Sequence, residues 1–325
     1  MKRLNILYIQ KPGEDPIWDN SLLAAVGAEH DVSFLDREKP IEPQFHGVDG
    51  VVMMGAEPTP AEWFEAARGT KFWQLLSVGY DKFDLETIRE IGIPCCHCPG
   101  STSSPGLAES AIMMIYLILK RWNEAQEVLA QGKAFNPMGE DVDGRLMGFV
   151  GFGASGRETA SLAKAVGLRI AIAEPLDIDP VTRDEYQPEF VVKPDAEGMA
   201  RIFSESDIVS LHLPLTPETH GCITAELLGR MKPTAIFINV ARGDLVDQEA
   251  LYTALLENRI AGIGTDVHAG VFPDPKHPVY QHRNFYATPH TSGTTRGTAR
   301  RRAQIALENA NRVAAGEPLQ HRIDL

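Results

Sequence analysis

The chain has 325 residues, of which 43% are apolar and 23% are charged, and these proportions are typical of a folded globular protein. Because a single hydrophobic core stops growing near this length, two domains are expected. Lys and Arg number 31 against 44 Asp and Glu, which gives a formal charge of −13 and disfavours nucleic acid and anionic membranes as partners.

No segment of the sequence predicts membrane insertion or export. The longest wholly apolar run, residues 111–119, is far shorter than the roughly 20 residues that a spanning helix needs. The first ten residues lack the long apolar stretch and the small-residue cleavage site of a signal peptide. We therefore expect a cytoplasmic protein.

Short apolar runs alternate with amphipathic helical patterns over the first hundred residues. The predicted strands are residues 4–9, 32–35, 50–54, 73–78 and 93–98, and the predicted helices are residues 21–28, 60–68 and 85–92. This alternation favours a parallel sheet that is covered on both faces. Residues 99–106 then interrupt the pattern with turn-forming chemistry, which predicts a domain boundary.

A second alternating series follows a long apolar helix at residues 107–121 and a polar stretch to residue 145. Its predicted strands are residues 148–152, 169–173, 208–213, 235–240, 260–267 and 285–288, and its predicted helices are residues 158–166, 225–231 and 248–258. Six strands are the number expected of a dinucleotide-binding sheet. The chain ends in a predicted helix at residues 296–315.

The run from Gly151 to Gly156 reads Gly-Phe-Gly-Ala-Ser-Gly and matches the G-x-G-x-x-G pattern between a predicted strand and a predicted helix. In such a turn Gly151 permits the tight bend, Gly153 lets the backbone approach a pyrophosphate, and Gly156 allows close helix packing. Ala154 and Ser155 begin the helix, whose N-terminus favours phosphate. The alternative is a glycine-rich turn in an ordinary α/β sheet.

The next predicted strand leads to Glu174, 18 residues beyond the last glycine. A carboxylate here would accept hydrogen bonds from the adenosine ribose and repel a 2′-phosphate. Residues 175–178 contain no Lys or Arg to offset that repulsion. The pattern therefore predicts NAD, rather than NADP, as the cofactor.

Several further blocks resemble, in content and order, those of the D-isomer-specific 2-hydroxyacid dehydrogenase family. They are VGYDKFD at 78–84, LAE at 107–109, HLPLTPET at 212–219, NVARG at 239–243, GTDV at 264–267 and TPH at 288–290. The resemblance extends from about Gly50 to near the C-terminus. It implies hydride transfer between NAD(H) and a small D-2-hydroxy or 2-oxo acid, with glyoxylate-type or hydroxypyruvate-type substrates favoured.

The predicted fold class is α/β, with two doubly wound parallel-sheet domains. A Rossmann NAD-binding domain, residues 101–293, is inserted into a flavodoxin-like substrate domain, residues 1–100 plus 294–325. We expect the active site in the cleft between them.

The resemblance assigns catalysis to Arg242 and His290. A guanidinium fork can hold the substrate carboxylate and carbonyl oxygens together, which suits Arg242. His290 would act as the acid in reduction and as the base in oxidation. Asp266 matches the position that binds the nicotinamide carboxamide. An isolated Arg is more commonly in a surface ion pair and an isolated His structural, but their places inside these motifs favour function.

One position departs from the family pattern. Five residues after Asp266 the family usually has a glutamate that pairs with the catalytic histidine, raises its pKa and fixes its tautomer. Here that position is Val271, and Asp274 is the alternative partner. Two hypotheses therefore stand: an active dehydrogenase, or an NADH-binding dimeric regulator of the same fold that has lost catalysis.

The resemblance also implicates the first domain in substrate binding, through the loop at Met54 and Gly55 and through the backbone of Val78 and Gly79. Exposed N–H groups there would hold the substrate carboxylate. Loop residues 54–57 include no basic side chain, and Glu57 is acidic, which disfavours phosphorylated or dicarboxylic substrates. Ordinary packing at a strand end is the equal alternative for Met54 and for Ala56.

The remaining assignments concern the cofactor, metals and assembly. The resemblance adds six cofactor positions, Leu213, Pro214, Thr219, Val240, Ala241 and Gly293. We interpret His212 as structural. Residues 95–98, Cys-Cys-His-Cys, are too closely spaced for paired zinc knuckles, so we predict packing and no metal. A homodimer is implied, formed by the helix after Pro105 and the segment to Arg145. It would explain the apolar run at 111–119, for which burial within the subunit is the alternative.

Overall fold

The computed structural model describes residues 2–55, 57–270 and 275–323. The chain forms two compact units. Unit 1 contains Met1–Ser103 and Thr294–Leu325, and unit 2 contains Ser104–Gly293.

Strands and helices alternate along both units. Before residue 104 they are β1 (Asn5–Ile9), α1 (Ile17–Glu29), β2 (Asp31–Phe34), β3 (Gly50–Met53), α2 (Ala61–Ala66), β4 (Phe72–Leu75), α3 (Leu85–Glu90) and β5 (Cys95–Cys96). After it they are α4 (Ser104–Leu119), α5 (Trp122–Ala130), β6 (Leu146–Val150), α6 (Ala154–Ala165), β7 (Arg169–Ala173), α7 (Pro180–Tyr186), β8 (Phe190–Val192), α8 (Ala196–Glu205), β9 (Ile208–Leu211), α9 (Ala225–Leu228), β10 (Ile236–Asn239), α10 (Gln248–Leu256), β11 (Gly262–Thr265), β12 (Phe285–Ala287) and α11 (Arg296–Ala315).

Unit 1 contains a five-stranded parallel sheet in the order β2-β1-β3-β4-β5. One face packs against a cluster around Phe64 and Trp73, whose rings lie 5.3 Å apart. The other face packs against α1 and α11, through residues such as Trp18 and Leu307. Residues of both clusters are buried because a parallel sheet with helices on both faces leaves neither side to water.

The C-terminal tail returns to the edge of this sheet. The Ile323 N–H donates to the Cys95 carbonyl at 2.8 Å, and the His97 N–H donates to the His321 carbonyl at 3.0 Å. The tail therefore pairs with an otherwise open edge strand, which protects it from other chains. The neighbouring thiols are buried, and burial raises the pKa of Cys96 and Cys98 to about 12. The prediction of core packing for these cysteines is confirmed.

Unit 2 contains a seven-stranded parallel sheet in the order β12-β11-β10-β9-β6-β7-β8. The chain starts in the middle at β6, builds outward to β8, and then restarts at β9 on the other side. Ligands bind at such a reversal of strand order, beyond the carboxyl ends of the strands. The predicted α/β class with two parallel sheets is confirmed. The prediction missed β8, which has only three residues, all partly buried.

The apolar run at residues 111–119 lies inside unit 2. Ala111, Met114 and Ile118 of α4 are buried against the sheet. The close approach of α4 to β11 depends on a glycine in β11, since a Cβ at Gly264 would lie 2.6 Å from the Met114 Cβ. Burial within the subunit accounts for these residues, whereas Met113 of the same run is exposed, so the dimer explanation stays a prediction. In the described part of the chain, no helix combines the length and the apolar character needed to cross a membrane.

Candidate active site

The glycine turn lies between the end of β6 and the start of α6. Gly151 has φ +89°, and a Cβ on it would lie 2.7 Å from the His212 carbonyl oxygen. A Cβ on Gly156 would lie 2.7 Å from the Gly151 carbonyl oxygen, so both positions need glycine. A Cβ on Gly153, in contrast, would have nothing within 4 Å. The turn is thus tight against the protein on one side and open on the other.

This geometry fits a dinucleotide pyrophosphate. Gly153 caps α6 without a side-chain hydrogen bond, so no side chain of the cap occupies the first N–H groups of the helix. Such N–H groups, together with the helix dipole, bind phosphate. Among the described residues, the buried Ser292 hydroxyl, next to Gly293, also has no hydrogen-bond partner. The residues present therefore suit the cofactor that the sequence predicts.

His212 supports the turn from behind. Its Nδ1 lies 3.1 Å from the Ser155 Oγ, and its Nε2 lies 2.8 Å from the Ser210 Oγ. Burial lowers the pKa of His212 to about 3, so the ring is neutral at physiological pH. A neutral ring has one donor and one acceptor, and here each nitrogen faces a hydroxyl. These contacts agree with the structural interpretation of His212.

Glu174 follows β7 and lies beside the glycine turn. Its Oε2 accepts a hydrogen bond from the Phe152 N–H at 2.7 Å, and its Oε1 accepts one from the Leu176 N–H at 3.3 Å. Residues 175–178 supply no cation, but a residue farther along the chain does. Lys193, from the end of β8, donates to the Pro175 carbonyl at 2.9 Å. The sequence does not reveal this contact, because β8, the strand before Lys193, has only three residues.

Asp266 follows β11 and is 1% exposed. Its Oδ1 accepts hydrogen bonds from the Thr288 hydroxyl at 2.5 Å and the Thr291 N–H at 2.7 Å, and its Oδ2 accepts one from the Ser292 N–H at 3.0 Å. The carboxylate therefore fastens the segment that follows β12. The family resemblance predicts only a cofactor role for Asp266, and no local pattern in the sequence indicates this internal one.

His290 lies in that fastened segment. Its φ is +59°, in the left-handed region, and its N–H donates to the Asp266 carbonyl at 2.9 Å. A residue with a Cβ pays roughly 1 kcal/mol or more for this conformation, so it persists where neighbouring bonds enforce it. The residue is exposed.

Arg242 follows β10 in a turn that Asn239 organises. The Asn239 Nδ2 donates to the Arg242 carbonyl at 2.9 Å, while its Oδ1 accepts from the Ala241 N–H at 3.0 Å. The Arg242 Nη1 donates to the Ala241 carbonyl at 2.8 Å. Gly243 comes next because a Cβ there would lie 2.0 Å from the His268 carbonyl carbon.

The three polar residues of this site come from adjacent strands. β10 pairs with β11, and β11 pairs with β12, all in parallel. Arg242, Asp266 and His290 therefore leave the same edge of one sheet, the carboxyl edge that also carries the glycine turn after β6. A cation, a buried acid and an imidazole at this edge can bind an anionic substrate and exchange a proton with it.

His268 is a second imidazole near this edge, and sequence analysis assigned it no role. Its Nε2 lies 3.4 Å from the Thr288 carbonyl oxygen, and its Nδ1 lies 3.3 Å from the Tyr280 hydroxyl. Burial lowers the pKa of His268. Val271 and Asp274, on which the question of a histidine partner depends, lie outside the described residues.

The other predicted cofactor positions lie on loops of the same unit. Leu213 and Pro214 follow β9, and the Thr219 hydroxyl donates to the Pro214 carbonyl at 2.7 Å, which closes the loop. Val240 and Ala241 follow β10 directly.

The predicted substrate residues of unit 1 follow β3 and β4. Met54 is 6% exposed and packs in the cluster that faces α1 and α11, in agreement with ordinary strand-end packing. The loop it begins has a basic neighbour that sequence analysis missed, because the Lys11 Nζ lies 3.1 Å from the Glu57 Oε1. Val78 and Gly79 are partly exposed. Ala56 lies outside the described residues.

The sheet order, the glycine turn and the polar groups at one edge define a dinucleotide-binding oxidoreductase. Residues 112–292 match the D-isomer specific 2-hydroxyacid dehydrogenase, NAD binding domain, family. The glyoxylate reductase of Korarchaeum cryptofilum is 36% identical over 286 residues, which cover 86% of this chain and 84% of that protein. The hydroxypyruvate reductase of Thermotoga maritima is 31% identical over 264 residues, covering 80% and 82%.

Solved structures agree. The TT0316 protein from Thermus thermophilus superposes with a TM-score of 0.80 at 30% identity, covering 99% of this chain and 100% of that one. D-2-hydroxyisocaproate dehydrogenase superposes with a TM-score of 0.83 at 22% identity, covering 98% and 99%, and shows the fold alone. The chain belongs to the D-isomer specific 2-hydroxyacid dehydrogenase family, and the predicted resemblance is confirmed. It is a nicotinamide-dinucleotide-dependent oxidoreductase of the 2-hydroxyacid dehydrogenase class.

Proposed function

We propose that this protein reduces a small 2-oxo acid, of the glyoxylate or hydroxypyruvate type, with NADH as the preferred cofactor. The observation that carries the proposal is the fastening of the left-handed His290 turn to the buried Asp266, beside the strand end that bears Arg242. Two curated relatives, named glyoxylate reductase and hydroxypyruvate reductase, support the choice of substrate.

In this mechanism the chain supplies binding, orientation and a proton. Arg242 binds the carboxylate and polarises the carbonyl of the substrate through its paired N–H groups. The nicotinamide, when bound, supplies the hydride that carbon 2 accepts. A protonated ring nitrogen of His290 gives its proton to the carbonyl oxygen, which becomes the hydroxyl, and the neutral ring takes that proton back in oxidation.

We assign the cofactor and substrate contacts to specific residues. We assign the pyrophosphate to the turn that contains Gly151, Gly153 and Gly156. The other assigned cofactor residues are Ala154, Ser155, Glu174, Leu213, Pro214, Thr219, Val240, Ala241, Asp266 and Gly293. The substrate carboxylate is assigned to Arg242 and to backbone N–H groups of Val78 and Gly79. Gly55, which has φ +86°, belongs to the same substrate-binding set and offers backbone groups that no side chain covers. Met54 supports this loop by packing in the core.

A homodimer is the assembly that we propose. The support lies on the segment that follows α4. α5 buries none of its residues within the subunit, and four large apolar side chains are exposed there: Trp122, Leu129, Phe135 and Met138. Large apolar side chains that are exposed on one segment are a feature of subunit interfaces. Light scattering of the purified protein measures the assembly mass directly.

A second candidate function is supported by one sequence observation. Val271 stands where the family usually has the glutamate partner of the catalytic histidine. On this hypothesis the protein binds NADH and signals its level without turning over a substrate.

The deciding experiment follows NADH oxidation with glyoxylate, hydroxypyruvate and pyruvate, each over a range of concentrations. Saturable turnover of any of them supports the dehydrogenase. NADH binding without turnover of any member of the panel contradicts it and leaves the regulator. Arg242→Ala is the matched negative control, because it removes the substrate cation and leaves the glycine turn intact.

A further inference from the structure

Lys193 is the first residue after β8, and it lies beside Glu174, the first residue after β7. In the parallel pair Ala173 is opposite Val192, and the Glu174 N–H donates to the Val192 carbonyl at 3.1 Å. The sheet therefore places Lys193 beside Glu174, whose carboxylate is assigned to the adenosine ribose. NAD and NADP differ at this ribose, because NADP carries a phosphate on its 2′ oxygen.

Two acceptors hold Lys193 at this place, and both belong to the segment that follows Glu174. The Lys193 Nζ donates to the Pro175 carbonyl at 2.9 Å and to the Asp177 Oδ1 at 2.6 Å. The Lys193 side chain is 52% exposed and the Asp177 side chain is 97% exposed. A pair this exposed contributes little to folding stability. The charges of this pair act instead on a charged group of a ligand that approaches the segment.

Other charged groups also surround this segment. The Arg157 Nε donates to the Phe152 carbonyl at 3.2 Å, and its Nη1 donates to the Thr182 hydroxyl at 2.8 Å. Glu174 and Asp177 are acidic, and the pKa of Asp177 is lowered chiefly by its hydrogen bond from Lys193, with a smaller attraction to Arg183. A 2′-phosphate would thus meet two carboxylates and the Lys193 ammonium, with the charges of Arg157 and Arg183 around the same segment.

We propose that Lys193 is a second determinant of cofactor choice. Its ammonium offsets Glu174 and Asp177, so that NADPH binds less weakly than Glu174 alone would dictate. Asp177 sets the size of this effect because it engages the same Nζ that a 2′-phosphate would attract. The inference rests on the proposed function only in placing a nicotinamide dinucleotide at the glycine turn.

Calorimetric titration of NADH and NADPH, without any substrate, tests the proposal. Lys193→Gln is expected to weaken NADPH binding by about fivefold and to leave the NADH dissociation constant within about twofold, since only NADPH carries the added charge. Asp177→Asn is expected to tighten NADPH binding by a similar factor. In the double variant with Lys193→Gln, Asp177→Asn should tighten NADPH binding less, because there is no Lys193 ammonium for the substitution to release.

Lys120→Gln is the matched control. The Lys120 Nζ also donates to a backbone carbonyl, that of Glu140 at 2.8 Å, and to an exposed carboxylate, that of Asp141 at 3.2 Å. That pair precedes β6, whereas the glycine turn follows it, so the control lies at the opposite edge of the sheet. It should change neither dissociation constant.

Two results would overturn the inference: Lys193→Gln leaving both dissociation constants unchanged, or changing both by the same factor. The NADPH-specific effect should also shrink at high ionic strength, where exposed charges are screened, and an effect independent of salt would contradict it. These readouts are separate from turnover. If both cofactors bind as expected and no 2-oxo acid is reduced, the proposed function fails and the role of Lys193 stands.

Discussion

The Asp266 carboxylate accepts a hydrogen bond at 2.7 Å from the backbone N–H of Thr291, the residue directly after His290. A buried acid at the end of one strand thereby holds the turn at the end of the next. Because the His290 backbone is left-handed, the turn needs this restraint to keep the imidazole in one place. The position of His290, the proposed proton donor, therefore depends on the hydrogen bonds that the Asp266 side chain accepts within the protein.

Asp266→Asn tests this dependence. The amide nitrogen of asparagine would face a backbone N–H where the carboxylate now accepts, so we expect the free energy of unfolding to fall by about 2 kcal/mol. A displaced His290 should lower kcat by about a hundredfold. Chemical denaturation and steady-state kinetics measure the two effects. Asp195→Asn is the control, since Asp195 caps α8 through the Gly198 N–H and asparagine caps equally well. Unchanged stability and kcat at position 266 would refute the dependence.

Arg242 and His290 should respond differently to substitution on the proposed mechanism. Arg242→Ala is expected to raise KM and lower kcat together, because the cation acts in binding and in the transition state. His290→Ala should lower kcat by about 10² to 10⁴-fold with little change in KM, since a proton donor acts chiefly in the transition state.

Titration of NADH serves as the control for both variants, and its dissociation constant should stay within about twofold. Arg242→Lys keeps the charge and loses the planar fork, so it should recover only part of the activity. Near-normal kcat in His290→Ala would exclude this residue as the donor.

Glu174 should make the natural protein bind NADH more tightly than NADPH. Like charges near the ribose are worth at least about 1 kcal/mol, or about fivefold in the dissociation constant. Glu174→Gln should reduce the difference, because the amide can still accept from the Phe152 N–H while it no longer repels a phosphate. Equal or tighter NADPH binding by the natural protein would contradict the assignment of Glu174.

Val271→Glu should shift the pH dependence of turnover. A carboxylate beside the catalytic imidazole favours the protonated ring and raises its pKa. Reduction needs the protonated ring, so its decline at high pH should move upward, and oxidation needs the neutral ring, so its rise should also move upward. Paired pH-rate profiles in both directions check this. Profiles unmoved by the new glutamate, with reduction already persisting well above pH 8, would indicate that another group, Asp274 first, takes the role of the partner.

His212 should make the folding stability sensitive to acid. Its pKa is about 3 in the folded protein, because of burial, against about 6.5 in the unfolded chain. Between these pH values the unfolded state binds the proton and the folded state does not, so the free energy of unfolding falls as pH falls. His212→Gln should remove up to about 1.4 kcal/mol per pH unit of that slope, measured by denaturation at pH 4 to 6.5. The same substitution at the exposed His46 is the control, and an equal slope in both variants would contradict the prediction.

Local pattern was enough to predict the architecture. Alternating apolar runs and helical stretches predicted both parallel sheets, and the glycine spacing predicted the turn in which Gly151 and Gly156 leave no space for a Cβ. These features depend on the spacing of apolar residues along the sequence and on backbone sterics within a few residues. A sequence displays such short-range constraints directly.

Tertiary structure alone decided which distant side chains meet. Lys193 lies beside Glu174 because a three-residue strand, too short to show a period, pairs with β7. Lys11 reaches Glu57, and Asp266 fastens the His290 turn, because parallel strands bring together chain ends that are far apart in sequence. Strand order sets these contacts. It results from the packing of whole sheet and helix faces, so no single residue or short segment of the sequence reveals it.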